Sequence, residues 1–592
     1  MQSPDAAAPR RVDGRGLRRT FGALSGLIAA AVALGFAELA AALVGPASSP
    51  VVAVGDAVIT LTPEWAKEFA IRTFGENDKI ALVVGTLILI ALYSLVLGLV
   101  ALRSRRVGVA GIALFGLVGA VAAATRPAGG VLDAVPSVIG AVAGIVALLA
   151  MLTPLTVPST PPVAAEATDG SADERMLGRL RDVLGSMDRK GSGLDRRGFF
   201  LTSGVALGAA VVTGGAGRLL QQRFDVAEQR AGLTLPTPSS RAAALPSGAD
   251  LAEQIDGLTP LVTANRDFYR VDTAIRVPQV RPADWRLTVS GMVDSPRSYR
   301  LDDLFGRDDV IERDITLTCV SNEVGGTLAS SARWIGVPLG AFLRENGIRS
   351  GSSQLVCRDV NGMTIGAPTR AALEVEDAML AFGMNGEPLP VEHGFPVRML
   401  IPGLYGYVSA CKWLASIEAT TFDAFDPYWV ERGWAPEAPI KVASRIDTPA
   451  PLREFPAGRR PIAGVAWAQT RGIAKVEVKV DDEDWAEAEL SPEVDADVWR
   501  QWVLPYDFAA GRHSVTVRAT GADGELQTEA RLAPAVDADV WRQWVLPFDF
   551  DRGEHRITVR AISADGARQV EERVPPFPSG ATGWHSVEVE AT

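Results

Sequence analysis

Cysteine is scarce in this chain: Cys319, Cys357 and Cys411 are its three thiols. Their separations match no zinc or haem-attachment spacing, and an odd, sparse set makes no disulfide framework. In an oxidising compartment at least one of them is left over. Histidine is nearly as rare. The four are His393, His513, His555 and His585, and none precedes residue 393. Membrane b-type haems need imidazole ligands, so the apolar N-terminal part of the chain carries no such haem. A basic surface is also lacking. The net charge is -12, which argues against nucleic-acid binding, since phosphate affinity needs clustered Lys and Arg. Finally, the chain has no Walker loop, dinucleotide fingerprint, nucleophile elbow or metalloprotease helix.

Long apolar runs, in contrast, are concentrated before residue 220. Four are long enough to cross a bilayer, which takes roughly 20 helical residues: about Phe21 to Val44, Ile80 to Leu102, Val107 to Thr125 and Ala134 to Val157. Residues 1–157 therefore read as a four-helix transmembrane region. Arg10, Arg11, Arg15, Arg18 and Arg19 precede the first run, and Arg103, Arg105 and Arg106 lie between the second and third. The positive-inside rule puts both segments in the cytoplasm. A cytoplasmic linker, 158–194, follows, with a short amphipathic stretch around Met176, Leu180, Val183 and Met187. Residues 195–220 then hold Asp195-Arg196-Arg197-Gly198-Phe199-Phe200-Leu201 and a weakly hydrophobic run. They resemble a twin-arginine export motif joined to a fifth transmembrane helix; a pair of flanking anchors is the plainer alternative. A fifth crossing leaves a linker, 221–250, and everything beyond it outside the bacterial cytoplasmic membrane. Glu38 is the one acid in an apolar run, near its outer end, where an interhelical contact suits it better than proton relay.

Residues 251–447 alternate short β-like runs with helical ones, which reads as a mixed α+β domain. Trp285 to Val289, Ile315 to Thr318 and Leu355 to Asp359 are expected strands, and Pro338 to Glu345 an expected helix. Thr316-Leu317-Thr318-Cys319-Val320-Ser321-Asn322-Glu323-Val324-Gly325-Gly326 puts a cysteine where a strand meets a glycine-rich loop. That placement suits ligation of a soft metal, although a lone cysteine is more often a small buried hydrophobe. A second segment gathers cations on stiff turns: Asn385 to Pro390, His393-Gly394-Phe395-Pro396-Val397-Arg398, Pro402 to Gly406, and Lys412-Trp413. Arg binds phosphate through paired hydrogen bonds and Lys as a point charge, so the segment suits a polyanionic cofactor as well as it suits solvated turns.

Taken together, the two segments resemble the molybdopterin-binding domain of the sulfite oxidase family, over about Thr263 to Asp447. The resemblance implies a molybdenum-molybdopterin cofactor with Cys319 as the single protein ligand of the metal. It implies that His393, Arg398 and Lys412 hold the pterin and its phosphate, that Asn265, Tyr269 and Asn322 contact the cofactor, and that Arg270 faces a substrate anion. It also implies two-electron oxygen-atom transfer on a small molecule such as sulfite or a sulfoxide; reduction of oxidised methionine in proteins, or non-catalytic envelope assembly on the same fold, are the alternatives. The sequence departs from sulfite-oxidising members after Arg270, where Val271-Asp272 replaces their Asn-His, and an acid there would repel an anion. No cytochrome, flavin or nicotinamide domain is visible, so a separate electron-transfer partner is needed. Asp359, Tyr407 and Tyr428 are further pocket candidates, whereas Cys357 and Cys411 read as packing residues.

After Pro449 the pattern becomes strand-like, with Val476, Val478 and Val480 alternating with polar residues. Residues 448–592 read as an all-β immunoglobulin-like sandwich, and the resemblance makes it a candidate homodimer contact. Within it Val494 to Phe508 (VDADVWRQWVLPYDF) returns as Val536 to Phe550 (VDADVWRQWVLPFDF). Two copies do not make a solenoid, so one should complete the sandwich core while the other either extends a sheet edge or protrudes. His513 and His555 hold equivalent places, which argues against a metal role for either.

Overall fold

A computed structural model describes residues 14–62, 78–126, 129–155, 195–527 and 585–591. The chain divides into two compact units, Met1–Val226 with Thr273–Gln279, and Ala227–Asp272 with Val280–Thr592. The amphipathic stretch near Met176 and the second repeat copy lie outside the described residues. Residues 273–279 pack with the first unit.

The first unit is helical. Its helices are α1 (Gly14–Val44), α2 (Pro50–Leu61), α3 (Asp78–Ala101), α4 (Arg105–Ala124), α5 (Val135–Leu152) and α6 (Arg196–Gln221). Among the described residues five helical spans are long and apolar enough to cross a membrane; α2 is shorter. Small residues let α1 and α3 touch backbone to backbone, as packing without a hydrophobic drive requires. A Cβ on Gly98 would fall 2.1 Å from the Gly22 carbonyl oxygen. Helix α5 ends at Leu152, with Thr153 N still donating to Leu149 O at 3.2 Å, and Pro154 brings no N–H to carry the ladder further; the expected end at Val157 lies outside the described residues. Arg196 and Arg197 open α6, whose first turn is capped by Asp195 accepting from Gly198 N at 2.9 Å. Phe199 of the arginine motif is buried and stacks on Phe21 at 4.3 Å. Glu38 makes the interhelical contact: it accepts from Ser49 and, at 2.8 Å, from Gln221 Nε2, whose own oxygen accepts from Arg276 at 2.5 Å.

Among the described residues the second unit holds four sheets. One has the order β2 (Arg297–Tyr299), β1 (Leu287–Gly291), β10 (Leu414–Thr420), β5 (Gln354–Asp359), β6 (Thr364–Pro368), with only β1 and β10 parallel. The other runs β3 (Ile311–Thr318), β4 (Ala329–Pro338), β7 (Met379–Met384), β8 (Glu387–Pro388), with β9 (Arg398–Leu400) also on β7. Trp285, Val337, Phe342, Leu355 and Phe382 belong to the apolar cluster that both sheets share. Such burial stabilises by roughly 25 cal/mol per Å² of apolar surface.

Residues beyond Ala443 form two further sheets, β11 (Ala443–Thr448), β13 (Gly458–Trp467), β17 (Arg500–Phe508), β16 (Glu489–Leu490), and β12 (Glu454–Phe455), β19 (His585–Ala591), β18 (Gly511–Gly521), β14 (Ile473–Val480), β15 (Ala486–Glu487). Ile462, Trp502 and Phe508 of the first share one core with Val476, Val478, Val515 and Val517 of the second. The first repeat copy thus supplies an inner strand. It also covers the outer edge of β3, where Thr316 N donates to Asp497 O at 2.9 Å and Trp499 N to Thr316 Oγ1 at 2.8 Å. An unpaired strand edge is an aggregation hazard, and here it is closed from another sheet pair.

Candidate active site

Cys319 follows the last residue of β3, and the loop to β4 is fastened at each end. Cys319 N donates to Leu328 O at 2.9 Å, Asn322 N to Cys319 O at 3.1 Å, and Leu328 N to Asn322 Oδ1 at 2.8 Å. Gly325 takes φ +77°, a left-handed conformation that glycine adopts without strain. Arg445 reaches the loop from β11, donating to Gly326 O at 2.9 Å while paired with Asp447 at 2.6 Å. The oxygen of Asn322 is therefore committed to holding its own loop.

The thiol itself is buried, and burial pushes its pKa up; hydrogen bonds from Ser321 and the charge of Lys412 oppose that. A buried thiol in such a place stays protonated at neutral pH unless a cation sits on the sulfur. Tyr269 is near enough for Cys319 to affect it, and burial pushes its phenol far up, so it is a neutral donor. Its backbone N donates to Ser330 Oγ at 3.2 Å, and its ring stacks on Phe268 at 5.4 Å. Phe268 in turn meets Trp334 at 5.6 Å and His393 at 5.3 Å.

His393 ends a short 3-10 turn, and Gly394 after it has φ +112°, where a Cβ would lie 3.1 Å from Lys412 Cα. That glycine brings the two cationic segments together. His393 Nε2 donates to Asn265 O at 2.9 Å, and burial lowers the imidazole to about 4, so it is neutral at pH 7. Arg398 opens β9, is 5% exposed, and is lowered to about 10 by burial. Its Nη1 donates to His393 O at 3.1 Å and its guanidinium lies 5.2 Å from the Trp334 ring centroid, but Nε has no hydrogen-bond partner. Among the described residues no carboxylate pairs with it. A buried guanidinium left in this state is costly, and an anion is what it lacks. Lys412 Nζ is 2.7 Å from Asp272 and 3.3 Å from Glu392 O; burial lowers it to about 8, with Asp272 opposing.

The structure therefore gathers Tyr269, Cys319, His393, Arg398 and Lys412. Arg270 is tied to the group through Asp272, at 2.8 Å. The Asn265 amide faces elsewhere: Nδ2 donates to Glu387 at 2.5 Å and Oδ1 accepts from Asn385 at 2.8 Å, leaving its backbone to orient His393. Asp359, raised to about 6 by burial, lies near Asp272, whereas Tyr407 donates to Ala435 O at 2.6 Å and Tyr428 sits under Arg432. Cys357 Sγ contacts Met399 Sδ at 3.5 Å and Cys411 is 1% exposed; both pack. His513 uses both ring nitrogens, on Asp481 and Ala509 O, which leaves none for a metal. Ser321, Trp334 and Tyr405 were not expected at the site. Tyr405, whose phenol burial and Cys319 raise to about 12, lay within the Pro402 to Gly406 turn, but nothing local marks Trp334.

The donor set fits a polyanionic group with a soft metal: one thiol that needs a cation, one buried guanidinium that needs an anion, and a neutral imidazole and phenol between them. Residues 274–429 match the family described as the oxidoreductase molybdopterin binding domain. Mitochondrial sulfite oxidase of Mus musculus is 30% identical over 311 residues, 44% of this chain and 56% of that protein. The NADH nitrate reductase of Solanum lycopersicum is 32% identical over 178 residues, 26% of this chain and 19% of that protein. The chain thus spans little more than half the length of the sulfite oxidases it matches. Among solved structures, the sulfane dehydrogenase SoxCD from Paracoccus pantotrophus aligns with a TM-score of 0.41 and 22% identity, over 45% of this chain and 75% of that one.

Proposed function

The domain that carries Cys319 belongs to the sulfite oxidase-type family of molybdopterin oxidoreductases, and on that premise we propose that the chain is a membrane-anchored enzyme of two-electron oxygen-atom transfer. Its substrate is a small oxyanion or oxide such as sulfite or a sulfoxide. Bound at the site, the molybdenum cofactor supplies the redox chemistry. The chain's own residues supply the rest. Cys319 gives the thiolate that holds the metal, and Arg398 with Lys412 neutralises the phosphate and pterin. His393, uncharged, and Tyr269, still protonated, offer hydrogen bonds without adding charge. Arg270, the most exposed of the cations here, meets substrate.

The observation that carries this reading is the buried Arg398 without an acid, with Tyr269 between it and the buried Cys319 thiol. Five helices long and apolar enough to span a bilayer are consistent with anchoring. The reading further places the catalytic domain on the extracytoplasmic side, exported folded through Arg196 and Arg197. It takes electrons to or from a separate partner, and it treats residues 448–592 as an immunoglobulin-like domain able to form a homodimer. The test is metal and pterin content of the purified chain. Near-stoichiometric molybdenum is expected, and Cys319→Ser should abolish turnover while retaining much of the pterin. A wild-type protein purified from a cofactor-competent host without molybdenum refutes the proposal.

A further inference from the structure

Arg270 and Lys412 share a single carboxylate. Asp272 Oδ2 lies 2.8 Å from Arg270 Nε and 2.7 Å from Lys412 Nζ, and the Asp272 side chain is only 4% exposed. The line runs from the interior outward: Cys319 feels the Lys412 ammonium, Lys412 feels the Arg270 guanidinium, and Asp272 stands between those two cations. A second acid, Asp359, is close enough for Asp272 to raise it. An oxyanion drawn to Arg270 would have to share it with a carboxylate already bonded both to it and to Lys412, and like charges at that separation repel. An uncharged oxide meets no such repulsion. It needs only a donor for its oxygen, and the two Nη groups of Arg270 make no hydrogen bond to the described residues.

We infer that Asp272 is the specificity-determining residue of this site, screening Arg270 and Lys412 so that an uncharged oxide, a sulfoxide or N-oxide, is accepted in preference to a free oxyanion. The inference rests on the oxygen-atom-transfer reading above and narrows its substrate class. The residue acts by occupying cations, so its removal should increase anion affinity, where loss of a merely structural contact would not.

The test is sulfate binding to purified holoenzyme by calorimetry at pH 6.5, below the value of about 8 at Lys412, for wild type, Asp272→Asn, Arg270→Gln and the double variant. Asp272→Asn should bind sulfate at least about tenfold more tightly than wild type, the size of one close charge pair, and adding Arg270→Gln should remove that gain. Equal sulfate affinity in wild type and Asp272→Asn, within about twofold, overturns the inference. Should Asp272→Asn not fold, wild type and Arg270→Gln still decide it. Saturable sulfate binding by wild type that Arg270→Gln weakens means Arg270 is already free for an anion, and overturns the inference; no such binding supports it. Turnover gives a second reading. With reduced viologen dye, two electrons and two protons break the S–O bond of a dialkyl sulfoxide to give sulfide and water; with two ferricyanides taking one electron each, sulfite and water give sulfate and two protons. The ratio of kcat/KM for sulfite to that for the sulfoxide should rise about tenfold or more in Asp272→Asn; an unchanged ratio counts against the screen. A protein without molybdenum defeats the enzymatic reading, yet on that same protein the difference in sulfate affinity between Asp272→Asn and its Arg270→Gln double variant still shows whether Asp272 screens Arg270, because sulfate held by Arg398 is common to both.

Discussion

Deleting Val494 through Ala535 joins Glu493 to Val536 and offers the second repeat copy to the place held by the first. The demands of that place are known side chain by side chain. Trp499 donates from its indole to Leu261 O at 2.8 Å, Gln501 donates to Asp250 and Thr259 O, and Trp502 is fully buried. The incoming sequence brings Trp541, Gln543 and Trp544 to those positions. Within the fifteen residues the single change is Phe548 for Tyr506, which loses an exposed hydrogen bond to Glu483, about 0.5–1.5 kcal/mol. On β18 the buried Val515, Val517 and Ala519 become Ile557, Val559 and Ala561. The added methylene at one of them costs about 1–3 kcal/mol if the core cannot adjust. Gly521 becomes Ser563, whose Cβ would start 2.5 Å from an Asp523 oxygen and 3.3 Å from Val442; the first neighbour is the end of a side chain and can turn away. Against these losses, the connection onward to β19 shortens about threefold, worth about 1 kcal/mol in chain entropy. The net expectation is a folded, cofactor-loaded chain destabilised by about 1–3 kcal/mol, or a Tm lower by about 2–10 °C. Differential scanning calorimetry and molybdenum content check it. An insoluble or metal-free deletion variant refutes the equivalence of the copies.

Arg398→Met should raise the Tm of cofactor-free protein by a few degrees, since it removes a buried guanidinium without a counter-charge, while cutting molybdenum retention at least about tenfold; thermal melts of apoprotein and metal analysis decide it. Asp497, raised to about 7 by burial against an ordinary 3.8, binds its proton more tightly folded than unfolded. Its contribution is therefore present below about pH 4 and lost as pH rises through 7, so Asp497→Asn should melt like wild type near pH 4 and several degrees higher at pH 8. Arg196→Lys with Arg197→Lys should trap a reporter fused after Thr592 inside the cell; normal export of that variant would make the two arginines simple anchors.

The helices were legible because their signal is local: a bilayer-length apolar run announces itself whatever it packs against. So was Cys319 at the junction of β3 with its glycine-bearing loop, and so was the His393 to Lys412 segment, whose Pro and Gly spacing is itself a sequence pattern. What was not legible is the choice of side-chain partner. Asn322 looks like a cofactor ligand and spends its oxygen on Leu328. The Asn265 amide turns to Asn385 and Glu387, far along the chain. Asp272 stands out in the sequence only as a departure; that it serves Lys412, 140 residues away, depends on tertiary folding. The packing of residues 273–279 with the helical unit is invisible in the sequence for a similar reason, because no periodicity marks a short excursion from one compact unit to another.

The outer edge of β3 is closed by Asp497 and Trp499, and Trp499 is made 183 residues after the Thr316 it caps. During synthesis, then, the Cys319 end of the strand waits uncovered through most of the remaining domain, while Ser240 already pairs its Ile311 end. A chain stopped by a nonsense codon between Ala329 and Asp497 would have β3 yet never receive its cover, and should be recovered as aggregate or proteolytic fragments.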